Sequence, residues 1–378
     1  MRAQNDPELR MFEELVLDFA AKELVDNREE NDHYPFGPLF EDVLRKAGEV
    51  GFFSVTMPEE LDGADRGTGA LCMLLEQLCR FDASLAGVIF TDTLAKEVVY
   101  GSRGFVSLKE LVDRAAGYGD FLVAFQAYED PAESTGLVAG KKDGDTYTLA
   151  GSAAYVVLGG LAANALLPAR TAGGDGYSFF LVDLSGERVG RSDPVLSLGL
   201  HACPAVDLVL DAAEGRLVGE EGQGATCFER AVDRMCAAAA AMSLGLMKAS
   251  FEEALAYAGQ RRQGGREIVN WSEVRRILAG MAVKSKAAEL ALAEACRASE
   301  ENGPTRGLDA RAAALHIGRM ACEVTADGIQ LLGGNGYMED YHQEKRFRDA
   351  EQIQSLLGMA PMRELELIGR VVDGEQLF

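Results

Sequence analysis

The hydrophobic periodicity of this chain changes twice, and those changes constrain its fold more than any single motif. Up to about residue 119, apolar residues such as Met11, Leu15 and Phe19 recur every four residues or so, which predicts amphipathic helices. The middle of the chain has short runs rich in β-branched and aromatic residues, separated by Gly, Asp and Ser clusters. After Gly222 long helical patterns return. The sequence therefore predicts helices, then an antiparallel sheet, then a helix bundle.

This order divides the chain into three expected domains of an α+β protein. They are an N-terminal helical domain at 1–119, a middle antiparallel β-barrel or sandwich at 120–222, and a C-terminal four-helix bundle at 223–378. Strands are expected at 121–125, 146–149, 155–157, 165–167, 178–182 and 206–210. The bundle helices are expected at 227–260, 272–301, 308–332 and 348–371.

Composition excludes several classes of function. A net charge of −23 and a pI near 4.6 leave no basic face for nucleic acid or an anionic lipid surface. We find no apolar run of about 20 residues and no basic-then-apolar leader, so we expect a cytoplasmic protein that does not enter a membrane. The seven cysteines form no Cys-x-x-Cys pair, which predicts reduced thiols and no metal site.

A glycine-rich segment near the C-terminus carries the clearest functional signal. The run 330–337 reads Gln-Leu-Leu-Gly-Gly-Asn-Gly-Tyr, and Arg-Asp-Ala follows at 348–350. Glycines allow a backbone to approach a pyrophosphate closely. Both pieces resemble the segment Gln-x-x-Gly-Gly-x-Gly-Tyr…Arg-Asp-Ala of the flavin-dependent acyl-CoA dehydrogenases, and the resemblance extends over essentially the whole chain. It implies that Gln330, Gly333 and Gly334 contact the FAD of a neighbouring subunit.

A second piece of the same cofactor site lies earlier in the chain. Tyr257-Ala258 followed by Arg261 resembles the family's Tyr-Ala-x-x-Arg, whose arginine reaches that FAD. The aromatic residue that usually follows the arginine by three positions is Gly264 here. The resemblance therefore implies an adenine-end site that is kept in outline and changed in detail.

The flavin-ring end departs further from the family pattern. The loop that usually reads Thr-Glu-Pro-x-x-Gly-Ser-Asp is Tyr-Glu-Asp-Pro-Ala-Glu-Ser-Thr at 128–135, which adds carboxylates and leaves Ser134 as a cofactor contact. The usual Trp-Ile-Thr is replaced by 155–157, so that Tyr155 keeps an aromatic ring and Val157 lacks the hydroxyl. Losing one neutral hydrogen bond costs about 0.5–1.5 kcal/mol. Such a loss can retune a flavin, or it can mark a site that no longer holds one.

The usual catalytic base is missing. In the family a Glu before Gly takes the substrate's α-proton, and that position is Leu357 here. An alternative position used by some members falls on Met235-Cys236, which also lacks a carboxylate. The nearby pair Asp233-Arg234 resembles an Asp-Arg pair that contacts CoA in a subgroup of the family, although a solvated helix start explains it equally well.

Two other carboxylates are candidates for the base. Asp92 lies where the N-terminal helices are expected to approach the acyl pocket, and Glu129 lies on the flavin loop. A carboxylate buried against an apolar pocket has its pKa raised toward neutrality, which suits a proton acceptor. Each is otherwise an ordinary surface carboxylate.

Three hypotheses follow. The first is an acyl-CoA dehydrogenase-type flavoprotein that oxidises or reduces the α,β-bond of an unusual acyl-CoA with a non-standard base. The second is a non-catalytic subunit that completes a partner's FAD site, and the third is a non-redox acyl-CoA-binding enzyme. The resemblance implies FAD as cofactor, an acyl-CoA thioester as substrate and electron-transfer flavoprotein as electron partner. It also implies a homo-dimer or homotetramer, with a hetero-oligomer under the second hypothesis.

Overall fold

The protein, seen in a computed structural model, has the expected order of helices, sheet and helices. The structure describes residues 7–33, 39, 41–102, 105–114, 118–171, 176–301 and 305–377. The N-terminal part contains α1 (Pro7–Glu23), α2 (Arg28–Asp32), α3 (Glu41–Glu49), α4 (Thr68–Cys79), α5 (Ala83–Gly101), α6 (Phe105–Arg114) and α7 (Tyr118–Phe121).

Helices α4 and α5 form the centre of this part. Every residue of α4 is buried, as is α5 from Ala83 to Val99. The side chain of Asp82 caps α5 by accepting a hydrogen bond from the Ser84 N–H at 2.7 Å. Both helices are buried on all sides because they are enclosed between the outer N-terminal helices and the C-terminal bundle.

The middle part is a closed barrel. Strand pairing runs β4–β2–β3–β7–β5 and returns from β5 to β4, while β1 pairs with β4 and β6 pairs with β7. Closure removes exposed sheet edges. The strands are β1 (Val123–Ala124), β2 (Leu137–Asp143), β3 (Thr146–Val157), β4 (Asn164–Thr171), β5 (Ser178–Asp183), β6 (Val189–Arg191) and β7 (Ala205–Val218), and a short helix, α8 (Pro131–Ser134), lies between β1 and β2.

The barrel differs from the sequence prediction in three ways. Residues 146–157 form one strand rather than two, because β3 pairs with β2 on one side and with β7 on the other. Strands β2 and β6 were missed, because the second half of β2, 140–143, is exposed and polar and β6 has only three residues. The sheet is also not wholly antiparallel, since β4 runs parallel to both β1 and β2.

The C-terminal part is a helix bundle with one break that the periodicity did not indicate. The expected helix 348–371 is divided in two, because the chain turns at Leu357 and Gly358, whose φ angles are +66° and +109°. The helices are α9 (Gly224–Gln260), α10 (Ser272–Glu300), α11 (Arg306–Leu332), α12 (Gln343–Ile353) and α13 (Ala360–Val372), and a small hairpin of β8 (Arg262–Gln263) and β9 (Arg266–Glu267) joins α9 to α10. Within the described ranges, no helix has the length and hydropathy needed to cross a bilayer.

Candidate active site

A cavity lies where the loop after β1 meets the turn between α12 and α13. Its volume is about 500 Å³. One wall carries carboxylates and the other is largely apolar, so it can hold a ligand with a polar and an apolar part. The lining residues are Tyr128, Glu129, Asp130, Glu133, Leu357, Gly358, Met359, Met362, Arg363, Leu365 and Glu366.

Leu357 forms part of the wall of this cavity. Its side chain is buried, and its N–H donates to the Ala127 carbonyl at 2.7 Å. The turn is held from the other side by Arg363, whose guanidinium donates to the Leu356 carbonyl at 3.0 Å. The position that the sequence resemblance assigns to the catalytic base is thus fixed by the backbone, but the Leu357 side chain cannot accept a proton.

Glu129 lies two residues from the carbonyl that holds Leu357. It is half-buried, and its Oε2 accepts a hydrogen bond of 3.2 Å from Gln126 Nε2, which also donates to the Ala154 carbonyl at 2.8 Å. The cavity lined by Leu357 therefore also contains a carboxylate, that of Glu129. The structure brings together two of the sequence-predicted positions, Glu129 and Leu357.

The neighbouring acidic residues differ in what they do. Asp130 caps α8, because its side chain accepts from the Ala132 N–H at 2.8 Å. Glu133 is exposed on α8. Ser134 ends α8, and its side chain lies outside the described part of the structure. This loop therefore carries three carboxylates, Glu129, Asp130 and Glu133, where the family pattern has two.

Asp92 is placed differently from Glu129. It is fully buried on α5 and is not among the described residues that line the cavity. Its Oδ2 accepts from Lys96 Nζ at 2.5 Å and its Oδ1 accepts from the Val123 N–H at 2.9 Å. Burial raises the pKa of Asp92 and lowers the pKa of Lys96. Both carboxylate oxygens are engaged, so the geometry favours Glu129 over Asp92 as a proton acceptor.

Two tyrosines close the end of the site near β3. The rings of Tyr128 and Tyr155 are 5.3 Å apart in an edge-to-face arrangement. Gln352 of α12 donates to the Tyr155 hydroxyl at 2.8 Å. Burial raises the pKa of both phenols, which stay neutral. Val157 is fully buried and exchanges backbone hydrogen bonds of 2.9 and 3.1 Å with Phe125.

Gln352 is a contact that sequence reasoning missed. It lies two residues after the Arg-Asp-Ala run at 348–350, and this short spacing on a predicted helix was the available signal. Asp349 of that run accepts from the Leu200 N–H at 2.8 Å, which attaches α12 to the loop before β7. The run therefore holds the bundle against the barrel beside the cavity.

The residues that the sequence resemblance assigns to the adenine end of the cofactor are all at the surface, near the contact between Asn335 and Tyr257. Gln330, Gly333, Gly334 and Arg261 are all exposed. Asn335 attaches the glycine turn to the end of α9, because its Nδ2 is 3.1 Å from the hydroxyls of both Tyr257 and Tyr341. The segment and Arg261, predicted separately from the sequence, are thus neighbours.

The glycines of this turn have two different roles. A side chain built at Gly333 or Gly334 would meet no other atom within 4 Å, so both face open space. A Cβ at Gly336 would lie 2.4 Å from the Ile329 carbonyl oxygen, so Gly336 is needed for internal packing. The first two glycines and the exposed arginine fit a pyrophosphate approached from outside the chain.

Asp233 lies in an internal ion-pair cluster rather than on a free surface. It accepts from Arg311 Nε at 2.9 Å and from Arg370 at 2.6 Å. Arg311 is buried and also binds Glu229 and Glu366. These contacts assign Asp233 to the packing of α9 against α11 and α13, a role that the sequence did not indicate.

Arg234 has a structural partner as well. It donates to Glu97 of α5 at 2.8 Å, and Glu97 is buried. Burial raises the pKa of Glu97, while the Arg234 charge opposes that shift. About four-tenths of the Arg234 side chain remains exposed, so it joins α5 to α9 and still presents charge to solvent.

The chain combines a helical part, a closed barrel and a helix bundle with an exposed glycine-rich turn and a cavity between the loop after β1 and the bundle. Comparison with known families identifies its class. Residues 6–102 match the model of the acyl-CoA dehydrogenase N-terminal domain, and residues 222–372 match that of the acyl-CoA dehydrogenase C-terminal domain.

Individual relatives agree over nearly the full length. The chain is 27% identical to glutaryl-CoA dehydrogenase of Desulfococcus multivorans over 367 residues, covering 93% of both chains. It is 26% identical to the caffeyl-CoA reductase-Etf complex subunit CarC of Acetobacterium woodii, covering 96% of this chain and 98% of the relative. A solved glutaryl-coenzyme A dehydrogenase in complex with glutaryl-CoA superposes with a TM-score of 0.86 at 26% identity, covering 98% and 96% of the two chains.

The chain belongs to the acyl-CoA dehydrogenase family, whose members are FAD-dependent oxidoreductases. The adenine-end surface fits that cofactor, since its glycines are open and Arg261 is exposed. The cavity has aromatic and apolar walls, with the carboxylates of Glu129, Asp130 and Glu133 on the loop after β1.

Proposed function

We propose that this chain catalyses α,β-dehydrogenation of an unusual acyl-CoA thioester, or the reverse reduction, with Glu129 as the proton acceptor. The observation that supports it is the shared cavity: Leu357 stands at the family's base position, and Glu129 lines the same cavity two residues from Ala127, to which Leu357 is hydrogen-bonded. A carboxylate in reach of the substrate's α-carbon is the group this reaction requires.

The residues around Glu129 suit proton transfer. Gln126 donates to one carboxylate oxygen and so orients the side chain, leaving the other oxygen to accept a proton. Leu357 and the apolar face of α13 limit water at the reacting carbon. Tyr128 and Tyr155, fixed by Gln352, form the opposite aromatic wall. These two tyrosines would hold the flavin ring of FAD, which would supply the acceptor for the β-hydrogen.

The electron partner and the assembly follow from the same proposal. One relative is a subunit of a caffeyl-CoA reductase-Etf complex, which supports electron-transfer flavoprotein as the electron partner of this chain. The open glycines at 333 and 334 face away from their own chain, which supports a homo-dimer or tetramer in which each copy contacts a neighbour's FAD.

The test is exchange of the substrate's α-proton with deuterated water in FAD-reconstituted protein. Glu129→Gln keeps the size and the hydrogen-bonding amide but cannot accept the proton, so we expect exchange to fall roughly 100-fold to 10,000-fold. Glu187→Gln is the matched control, because it makes the same charge change at an exposed position of the barrel outside this cavity. Exchange at the wild-type rate in Glu129→Gln would contradict the assignment.

A second candidate function is supported by a difference between the two ends of the proposed FAD site. The adenine-end surface is open and intact, whereas the ring end has carboxylates at Glu129 and Asp130 and no hydroxyl at Val157. A subunit that completes the FAD site of a different partner chain would show this combination. The flavin content of the purified chain after reconstitution with FAD separates the two. Tight binding by the chain alone supports catalysis, and no binding supports the subunit role.

The adenine-end surface can be tested separately. Gly334→Asp adds a carboxylate in open space, so folding is unaffected while repulsion of the pyrophosphate lowers FAD retention, by about tenfold for a repulsion of 1.4 kcal/mol. Gly334→Asn has the same shape without the charge and serves as the control. Equal FAD retention by the two variants would show that this surface does not bind the cofactor.

A further inference from the structure

Two cysteines from different parts of the chain meet at the contact between α4 and α10. Near one end of this contact, the hydroxyls of Thr68 and Ser299 are 3.4 Å apart. Four residues along α4 from Thr68 is Cys72, and three residues back along α10 from Ser299 is Cys296. Residues three or four apart lie on the same helix face, so this antiparallel register places the two thiols opposite each other.

A second contact fixes the register on the other side of the cysteines. Lys248 of α9 donates to Glu76 of α4 at 2.7 Å and to Glu289 of α10 at 2.9 Å. Cys72 and Cys296 therefore lie between two polar contacts that prevent the helices from sliding. Within this frame Cys296 and burial raise the pKa of the Cys72 thiol, which indicates that the two side chains lie close together.

The pair has access to solvent on one side only. Cys72 is fully buried, and Cys296 is buried except for the 4% of its surface that borders a cavity of about 750 Å³ between α1, the start of α4 and α10. Arg66 and Arg297 also line this cavity. A small neutral oxidant can reach Cys296 there without passing through the core.

We propose that Cys72 and Cys296 form an oxidation site that takes a hydroperoxide and becomes a disulfide. The Cys296 sulfur attacks a peroxide oxygen, so the O–O bond breaks, one water leaves and Cys296 becomes a sulfenic acid. The Cys72 sulfur then attacks the Cys296 sulfur, the S–O bond breaks and a second water leaves. One hydrogen peroxide and two thiols thus give one disulfide and two waters.

The environment divides the two roles between the cysteines. Cys72 is fully buried and is not among the described residues that line the cavity, so it reacts second, after Cys296 has been oxidised. Cys296 faces the cavity and is the first to react. The disulfide would tie the N-terminal helical part to the bundle across more than half of the chain, which constrains the unfolded state.

The experiment treats the full-length protein with hydrogen peroxide, counts free thiols and maps peptides without reduction. We expect the loss of two thiols, a linked Cys72–Cys296 peptide, and a rise in the thermal unfolding midpoint that dithiothreitol reverses. Cys72→Ala should trap a sulfenic acid on Cys296, detectable with dimedone, and show no rise. Cys322→Ala, a half-buried cysteine elsewhere, should behave as wild type.

Two results would overturn the proposal. One is a wild-type protein that keeps both thiols while Cys322, the partly exposed cysteine, is oxidised. The other is a linked peptide that joins a different pair. Cys72→Ser, a second variant with a side chain of similar size, repeats the dimedone measurement if Cys72→Ala melts below the assay temperature.

Discussion

Replacing Asp92 by Asn tests whether the buried carboxylate of α5 is structural. Asp92 is fully buried, Lys96 has 5% of its side chain exposed, and the two charges are 2.5 Å apart. Removing one partner of such a pair leaves an uncompensated charge and costs about 3–5 kcal/mol. The Phe121 ring, 3.3 Å from Lys96 Nζ, continues to stabilise the ammonium. The asparagine oxygen can still accept from Val123, so we expect the low end, about 3 kcal/mol.

Urea unfolding followed by circular dichroism measures this loss. With a denaturant slope on the order of 3 kcal/mol per molar, the midpoint should fall by roughly 1 M. Adding Lys96→Met removes the orphaned charge, so the double variant should recover to within about 1 kcal/mol of wild type. An Asp92→Asn protein as stable as wild type that has lost α-proton exchange would refute the structural role and make Asp92 the base.

Two further predictions concern the glycine turn and α12. Gly336→Ala should lower the free energy of unfolding by about 1–3 kcal/mol because its Cβ would overlap a backbone carbonyl, whereas Gly334→Ala, whose Cβ meets nothing, should change it by less than about 0.5 kcal/mol in the same thermal or urea unfolding assay. Burial and neighbouring cations lower the pKa of His342 from 6.5 to about 4, so the stability from neutral His342 is present above pH 6.5 and is lost as pH falls toward 4. Asparagine tolerates the positive φ at this position, so His342→Asn should fold and should reduce the slope of the unfolding free energy with pH over that window. The control, His316→Asn at an exposed position, should keep the wild-type slope. An unchanged slope in His342→Asn would contradict this.

The order of elements could be predicted from sequence because hydrophobic periodicity is a local property. The break between α12 and α13 was missed because apolar residues continue through the turn at Leu357. Gly358 and Pro361, a glycine soon followed by a proline, are the usual signs of a helix end and were available in the sequence. Strand β2 was missed for a different reason: its second half is solvated, so no alternating pattern marks it.

The parts of the candidate site that follow from motifs and short spacings along the chain could be predicted from the sequence, whereas contacts between distant helices could not. Leu357 and Glu129 could be located from motifs, and the cavity brings them together. The pairing of Asp92 with Lys96 follows helical i,i+4 spacing and could also have been read. The ion pair of Asp233 could not be predicted from the sequence, because its partner Arg311 lies on another helix 78 residues away.

The most direct test of dehydrogenation with Glu129 as the base is the visible spectrum of the FAD-reconstituted protein, recorded without oxygen while acyl-CoA thioesters are added. We predict that at least one thioester, whether aliphatic, aromatic or alicyclic, bleaches the flavin band of the wild type. Glu129→Gln with the same flavin content should not bleach. Two results would contradict the assignment of Glu129 as the base. One is bound flavin that no thioester bleaches, and the other is bleaching at the wild-type rate in Glu129→Gln.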